Sequence, residues 1–220
     1  MDPEDKDLVV SYLTLRQMIG WAGLLLPFSV RLGAYLFEHI ASTESISAYY
    51  YTGMRDVFVS TLVLVGALVA CYRTPAILDT WLATIAGLAA IGIALFPMHP
   101  TYAREILDRF PGMATEQCYV NRGILGYHFV FVGTFFLLSF VLVFFRFKAF
   151  TPEPPTRQKI VRNRIYQICG IAMVAAYAAV GLLFYAYPDG KAPIFWPETV
   201  AVIAFATAWL VKGRIVLKDQ

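Results

Sequence analysis

Three histidines, His39, His99 and His128, are the side chains here best suited to moving a proton near neutral pH. All three fall at the ends of long apolar runs or in the segments between them. Glu38, Arg55, Asp56 and Glu198 fall at the same level, and Arg31 lies about one and a half helical turns deeper in the first run. Ionisable groups gathered at one depth of an apolar protein form a polar pocket when they face one another, and such groups are costly to leave in lipid. In that pocket His39, His99, His128, Asp56 and Glu198 are the candidate acids and bases. Arg31, Arg55, Asp56, Glu38 and Tyr49 are the candidate ligand-binding groups, an arginine being the natural bidentate partner of a phosphate or carboxylate. Three histidines and a carboxylate can also hold zinc and activate water. The chain has no HxxxH or HExxH spacing, so the expectation is no metal and no cofactor.

The elements that position these groups follow from composition. The 220 residues are 59% hydrophobic and 15% charged, with a mean hydropathy of +0.62. That leaves too little polar surface for a soluble domain, in which apolar residues make up about 45–50%. The expected fold is all-α, a single polytopic transmembrane bundle of about six spans, each needing roughly 20 apolar residues. The spans are expected near 13–37, 54–72, 77–96, 123–145, 165–187 and 194–211. Gly20, Gly23 and Pro27 in the first predict close packing and a kink. The face of the second that carries Asp56, Ser60, Val63, Ala67 and Cys71 is small and polar and is expected to turn inward. It would bring Asp56 to Arg31 or Arg55. Lys212, closing the last span, is expected to reach the inner-leaflet headgroups.

Loop charge sets the orientation. Arg146, Lys148, Arg157, Lys159, Arg162 and Arg164 face only Glu153 between spans four and five, and Lys212, Arg214 and Lys218 follow the last span. Both termini are therefore expected in the cytoplasm, with the pocket facing outward. In the long outer loop, Tyr102, Ile106, Leu107 and Phe110 share one face opposite i,i+4 charge pairs, which predicts an amphipathic helix over 101–110. Cys71, Cys118 and Cys169 are scattered across both sides of the bilayer, so no disulfide is expected. The net charge of +3 is dispersed between apolar runs, a membrane pattern and not a nucleic-acid-binding one.

The Ser45-Ile46-Ser47 segment followed by Arg55 and Phe58, with Arg162-Asn163-Arg164-Ile165-Tyr166 and Phe195-Trp196-Pro197-Glu198, resembles an uncharacterised family of bacterial six-helix membrane proteins. More loosely, the architecture is similar to the DRAM/Sfk-type membrane family. The resemblance implies a six-span bundle in a bacterial cytoplasmic membrane and a connection with lipids; it implies no catalytic residue.

Three functions fit this pattern. The first is a membrane protein that binds a lipid or other amphiphile in the polar pocket, with or without altering it chemically. The second is a non-catalytic structural or regulatory membrane subunit whose charges lock helices together. The third is a small transporter or channel, which the largely apolar second and third spans disfavour. The expected partners are membrane lipids and an amphiphilic small molecule. The orientation has a direct test: reporter fusions at Pro154 and at the C-terminus should read cytoplasmic, and one near Pro111 external. An external reading at Pro154 would reverse the orientation.

Overall fold

A computed structural model describes residues 3–98, 127–149, 156–187 and 192–215, with side chains from Tyr12 onward. The described residues form six long helices: α1 (Pro3–Glu38), α2 (Arg55–Ala70), α3 (Ile77–Leu95), α4 (Tyr127–Val141), α5 (Arg157–Ala186) and α6 (Phe195–Lys212). A 3-10 turn (Ser47–Tyr51) precedes α2, and a π turn (Leu142–Arg146) continues α4. Four of the helical segments, Tyr12–Glu38, Ile77–Leu95, Tyr127–Arg146 and Arg157–Ala186, are long and apolar enough to cross a membrane. The amphipathic helix expected over 101–110 and residue Cys118 lie outside the described residues. Cys71 and Cys169 are both free thiols.

The distribution of side-chain size is what a lipid solvent produces. Large apolar groups such as Phe37, 77% exposed, Leu182, 69% exposed, and Ile168 stand on the outside. The interior of α3 and α6 is instead built from Ala83, Ala86, Ala90, Ala201, Ala204 and Ala208. Lipid tails are as apolar as leucine, so nothing drives large side chains inward, and small ones let backbones approach. The α2–α3 crossing is the extreme case. A Cβ on Gly66 would come within 2.6 Å of the Gly87 carbonyl. Gly20 and Gly23 serve the same purpose where α1 meets Leu210, Ala206 and Phe205 of α6.

The helices form a ring in the order α4, α3, α2, α1, α6, α5. Among the described residues the ring closes firmly at one end only. There the π turn reaches α5, with Phe144 against Gly170, while over most of their length α4 and α5 touch sparsely. A Cβ added to Gly133 of α4 or Gly181 of α5 would meet nothing within 4 Å. The result is a seam along one side of the bundle.

The closed end is the basic one. Arg146, on the π turn, pairs with Asp79 in the first turn of α3, where the helix dipole also favours an anion. Tyr12 stacks on Tyr72 at 5.6 Å, Tyr72 meets Trp209 edge-on, and Trp209 meets Phe147. Arg16 lies over the Tyr12 ring and donates to the Lys212 carbonyl. Lys212 donates to the Phe147 carbonyl at 3.1 Å and lies over that ring. It therefore ties α6 to the end of α4, where the sequence suggested a free, snorkelling ammonium.

Asp79 is buried and Arg146 about one-third exposed, so removing one partner strands a charge at a cost at the lower end of about 3–5 kcal/mol. Asp79→Leu and Arg146→Met should each lower the thermal unfolding temperature in detergent, and the double variant should regain much of the loss. Additive losses would mean that the two side chains act independently.

Candidate functional site

The chain between α1 and α2 does not leave the bundle. Residues 43–52 are all buried, although only the 3-10 turn is regular. Backbone at this depth is tolerated where protein groups take up its N–H and C=O groups. Several here do so. The Ile46 N–H donates to Glu198 Oε2 at 2.7 Å, and the Phe195 N–H donates to the Glu44 carbonyl at 2.7 Å. Tyr51 donates its hydroxyl proton to the Met98 carbonyl, and the Ala48 N–H donates to Ser45 Oγ at 3.0 Å. The segment is thereby pinned to the start of α6 and to the end of α3. It plugs the end of the bundle opposite the basic one.

His128, in the first turn of α4, stands against this plug. Its Nδ1 lies 2.8 Å from the Phe96 carbonyl and its Nε2 lies 3.2 Å from Ser47 Oγ. A carbonyl can only accept, so in the neutral ring the proton sits on Nδ1. Nε2 then presents its lone pair to the Ser47 hydroxyl, which donates to it. The ring is 2% exposed.

Ser47, His128 and Glu198 line one wall of a cavity of about 250 Å³, with Tyr177, Gly133 and Gly181 among the residues across from them. A second cavity, of about 390 Å³, adjoins it through Gly133 and Tyr177 and is lined by apolar side chains of α4 and α5, including Phe140 and Met173. Leu137 and Val174 on its rim are 63% and 49% exposed. Together the two cavities follow the α4–α5 seam from the bundle's flank to the polar wall.

The sequence candidates divide accordingly. His128 and Glu198 come together at the wall. His99 lies outside the described residues. His39 is exposed, with φ 58°, and turns the chain out of α1, while the Ile40 N–H closes that helix on the Ala34 carbonyl. Glu38 braces the plug from outside by accepting the Gly53 N–H at 2.6 Å.

Arg31 lies over the rings of Phe195 and Trp196, at 5.3 and 5.0 Å from their centroids, and does not pair with Asp56. Arg55 donates to the Tyr50 hydroxyl at 2.7 Å and stacks on that ring. Tyr49 is fully buried against Phe195. Burial raises its phenol above the ordinary value, offset in part by Thr43 and the Arg31 guanidinium, so the hydroxyl stays protonated at neutral pH.

Asp56 is exposed, which corrects the expected inward face of α2. The buried face carries Phe58, Leu62, Val65, Gly66 and Val69, while Asp56, Ser60, Val63, Ala67 and Cys71 point outward. The core required the volume of Phe58 and Leu62 together with the close approach at Gly66. Asp56 at the first turn is stabilised by the helix dipole without any partner inside.

The pairing of Ser47 with His128 was not legible in the sequence, because the two residues are 81 positions apart. Among the described residues no three His, Cys, Asp or Glu side chains gather as a metal site. Comparison with family models, with curated proteins and with solved structures finds no match. The functional reading therefore rests on this geometry.

Glu198 has a testable role as an acceptor. Glu198→Ala leaves the Ile46 N–H unsatisfied, at a cost of about 1–3 kcal/mol, whereas Glu198→Gln keeps a carbonyl oxygen in place. Thermal unfolding in detergent should show the alanine variant clearly destabilised and the glutamine variant close to wild type. Equal losses in both would assign the effect to the charge.

Proposed function

We propose that this integral membrane protein takes up a lipid or lipid-like amphiphile from the surrounding bilayer and holds it in the α4–α5 seam. The observation that carries this reading is the pairing of the two cavities. The apolar one, between Leu137, Phe140, Met173 and Val174, suits a hydrocarbon chain. The adjoining one ends on hydroxyl, imidazole and carboxylate groups that suit a polar head. Ligand sites of this kind are mostly apolar with a few convergent polar groups. The route of entry is lateral, because the plug of residues 43–52 fills the mouth that an outward-opening pocket would use.

The closed basic end weighs against a conducting channel. There the Asp79–Arg146 pair and the aromatic stack of Tyr12, Tyr72, Trp209 and Phe147 leave the ring shut. The location that fits is a bacterial cytoplasmic membrane, with the basic end inside.

Gly133 and Gly181 give the test its handles, since a Cβ at either meets nothing within 4 Å. Purified protein should retain lipid detectable by mass spectrometry and should be labelled by a photoreactive fatty-acyl phospholipid. Gly133→Leu combined with Gly181→Leu should cut that labelling about tenfold, equivalent to about 1.4 kcal/mol, with an unchanged unfolding temperature. Labelling unaffected by the double variant would remove the seam as the binding site.

A further inference from the structure

Of the three groups on the polar wall, one pair has the geometry of a nucleophile and its base. Ser47 Oγ is 3.2 Å from His128 Nε2, and the opposite ring nitrogen is held by the Phe96 carbonyl at 2.8 Å. Nucleophile, base and a third group that fixes the base's tautomer and orientation are the three parts that activate a serine. A backbone carbonyl serves as well as a carboxylate for orientation, since it needs only to accept from Nδ1–H. We infer that Ser47 and His128 form a catalytic dyad that hydrolyses an acyl ester of the amphiphile bound in the α4–α5 seam.

The inference rests on the amphiphile-binding reading above and adds the reaction to it. The dyad lies at the polar end of the cavities, where the ester of a chain laid along Phe140 and Met173 would arrive. Ser47 is the first residue of the 3-10 turn, and the residue before it is anchored through its N–H to Glu198. Glu198 is thus a positioning residue that fixes the nucleophile's backbone. Tyr177 lines the same cavity from α5 and offers a hydroxyl donor to the carbonyl oxygen as it gains charge.

The chemistry balances without a redox partner. Ser47 Oγ attacks the carbonyl carbon while its proton passes to His128 Nε2. The tetrahedral adduct collapses, the ester C–O bond breaks, and the leaving alkoxide takes the proton back from Nε2. A water molecule, deprotonated by Nε2, then attacks the acyl-serine; the fatty acid leaves and Ser47 recovers its proton.

The experiment uses the full-length protein in detergent micelles and in phosphatidylglycerol-containing vesicles. An alkyl fluorophosphonate should add one phosphonyl group per chain, located at Ser47 by peptide mass spectrometry. Release of p-nitrophenol from a p-nitrophenyl ester of a medium-chain fatty acid should be measurable in the same preparation. Ser47→Ala should abolish both in protein that still folds, its unfolding temperature lowered only by the loss of one buried hydrogen bond. His128→Gln should slow both by about 100-fold or more. If that variant fails to fold, Phe129→Ala, which alters the cavity wall beside the dyad, gives a second readout by shifting chain-length preference. Absence of a Ser47 adduct and of ester release in folded wild-type protein would overturn the dyad. Retention of photoreactive lipid by that same protein would then leave the binding reading standing, whereas loss of both would remove the two together.

Discussion

Backbone polar groups inside a hydrocarbon solvent must find partners in the protein, and this constraint organises the plugged half of the molecule. Six helices satisfy their own amides and carbonyls. Residues 43–52 do so only in part, through their 3-10 turn, and they are buried. Glu198 accepts the Ile46 N–H, the Phe195 N–H at the start of α6 donates to the Glu44 carbonyl, and the Tyr51 hydroxyl donates to the Met98 carbonyl after α3. That requirement draws polar side chains from distant helices to one level. His128 joins by bonding the Phe96 carbonyl. The polar wall is a consequence of solving the plug's hydrogen bonds, and Ser47 and Glu198 line a cavity there.

The two ends of the bundle do different work. At the basic end an ion pair, a lysine bonded to a carbonyl and five aromatic rings in contact, Tyr12, Tyr72, Trp209, Phe147 and Tyr166, hold the six helices together. At the plugged end the ring is left open between α4 and α5, where glycines replace side chains that would fill the gap. Tight packing at one end lets the other keep a seam without losing the fold. Nothing in lipid drives that seam closed, since its apolar walls are as well solvated by acyl chains as by each other.

Charge pairing entered the structure in a place the spacing of residues did not announce. Arg31, somewhat deeper than Asp56, invited a pair with it, yet Arg31 rests on aromatic rings and Asp56 faces outward. Cation–π contact with Phe195 and Trp196 satisfies the guanidinium without burying a carboxylate. Asp79 is a buried carboxylate that is ion-paired, at the start of a span that otherwise reads as apolar, and its partner comes from the π turn that ends α4. The pair costs least there, near the bundle's end, where one member keeps contact with solvent.

The all-helical architecture of the described residues and the basic character of one end were legible in the chain itself. Each depends on local composition: apolar length sets a span, and the Lys and Arg between spans set an end apart. The inward face of α2 was not legible. Hydrophobicity gives no direction in lipid, and the choice fell to volume and to the glycine crossing with α3. Nor was the Ser47–His128 pair legible, because its two members are 81 residues apart and the ring's orientation is set by a carbonyl that any sequence possesses. His128 and Glu198 could be picked out by type and depth alone. Only the tertiary structure decided that these two, and not His39 or Asp56, meet at one cavity, since which residues at a given depth face one another is fixed by helix rotation, and helix rotation is fixed by packing.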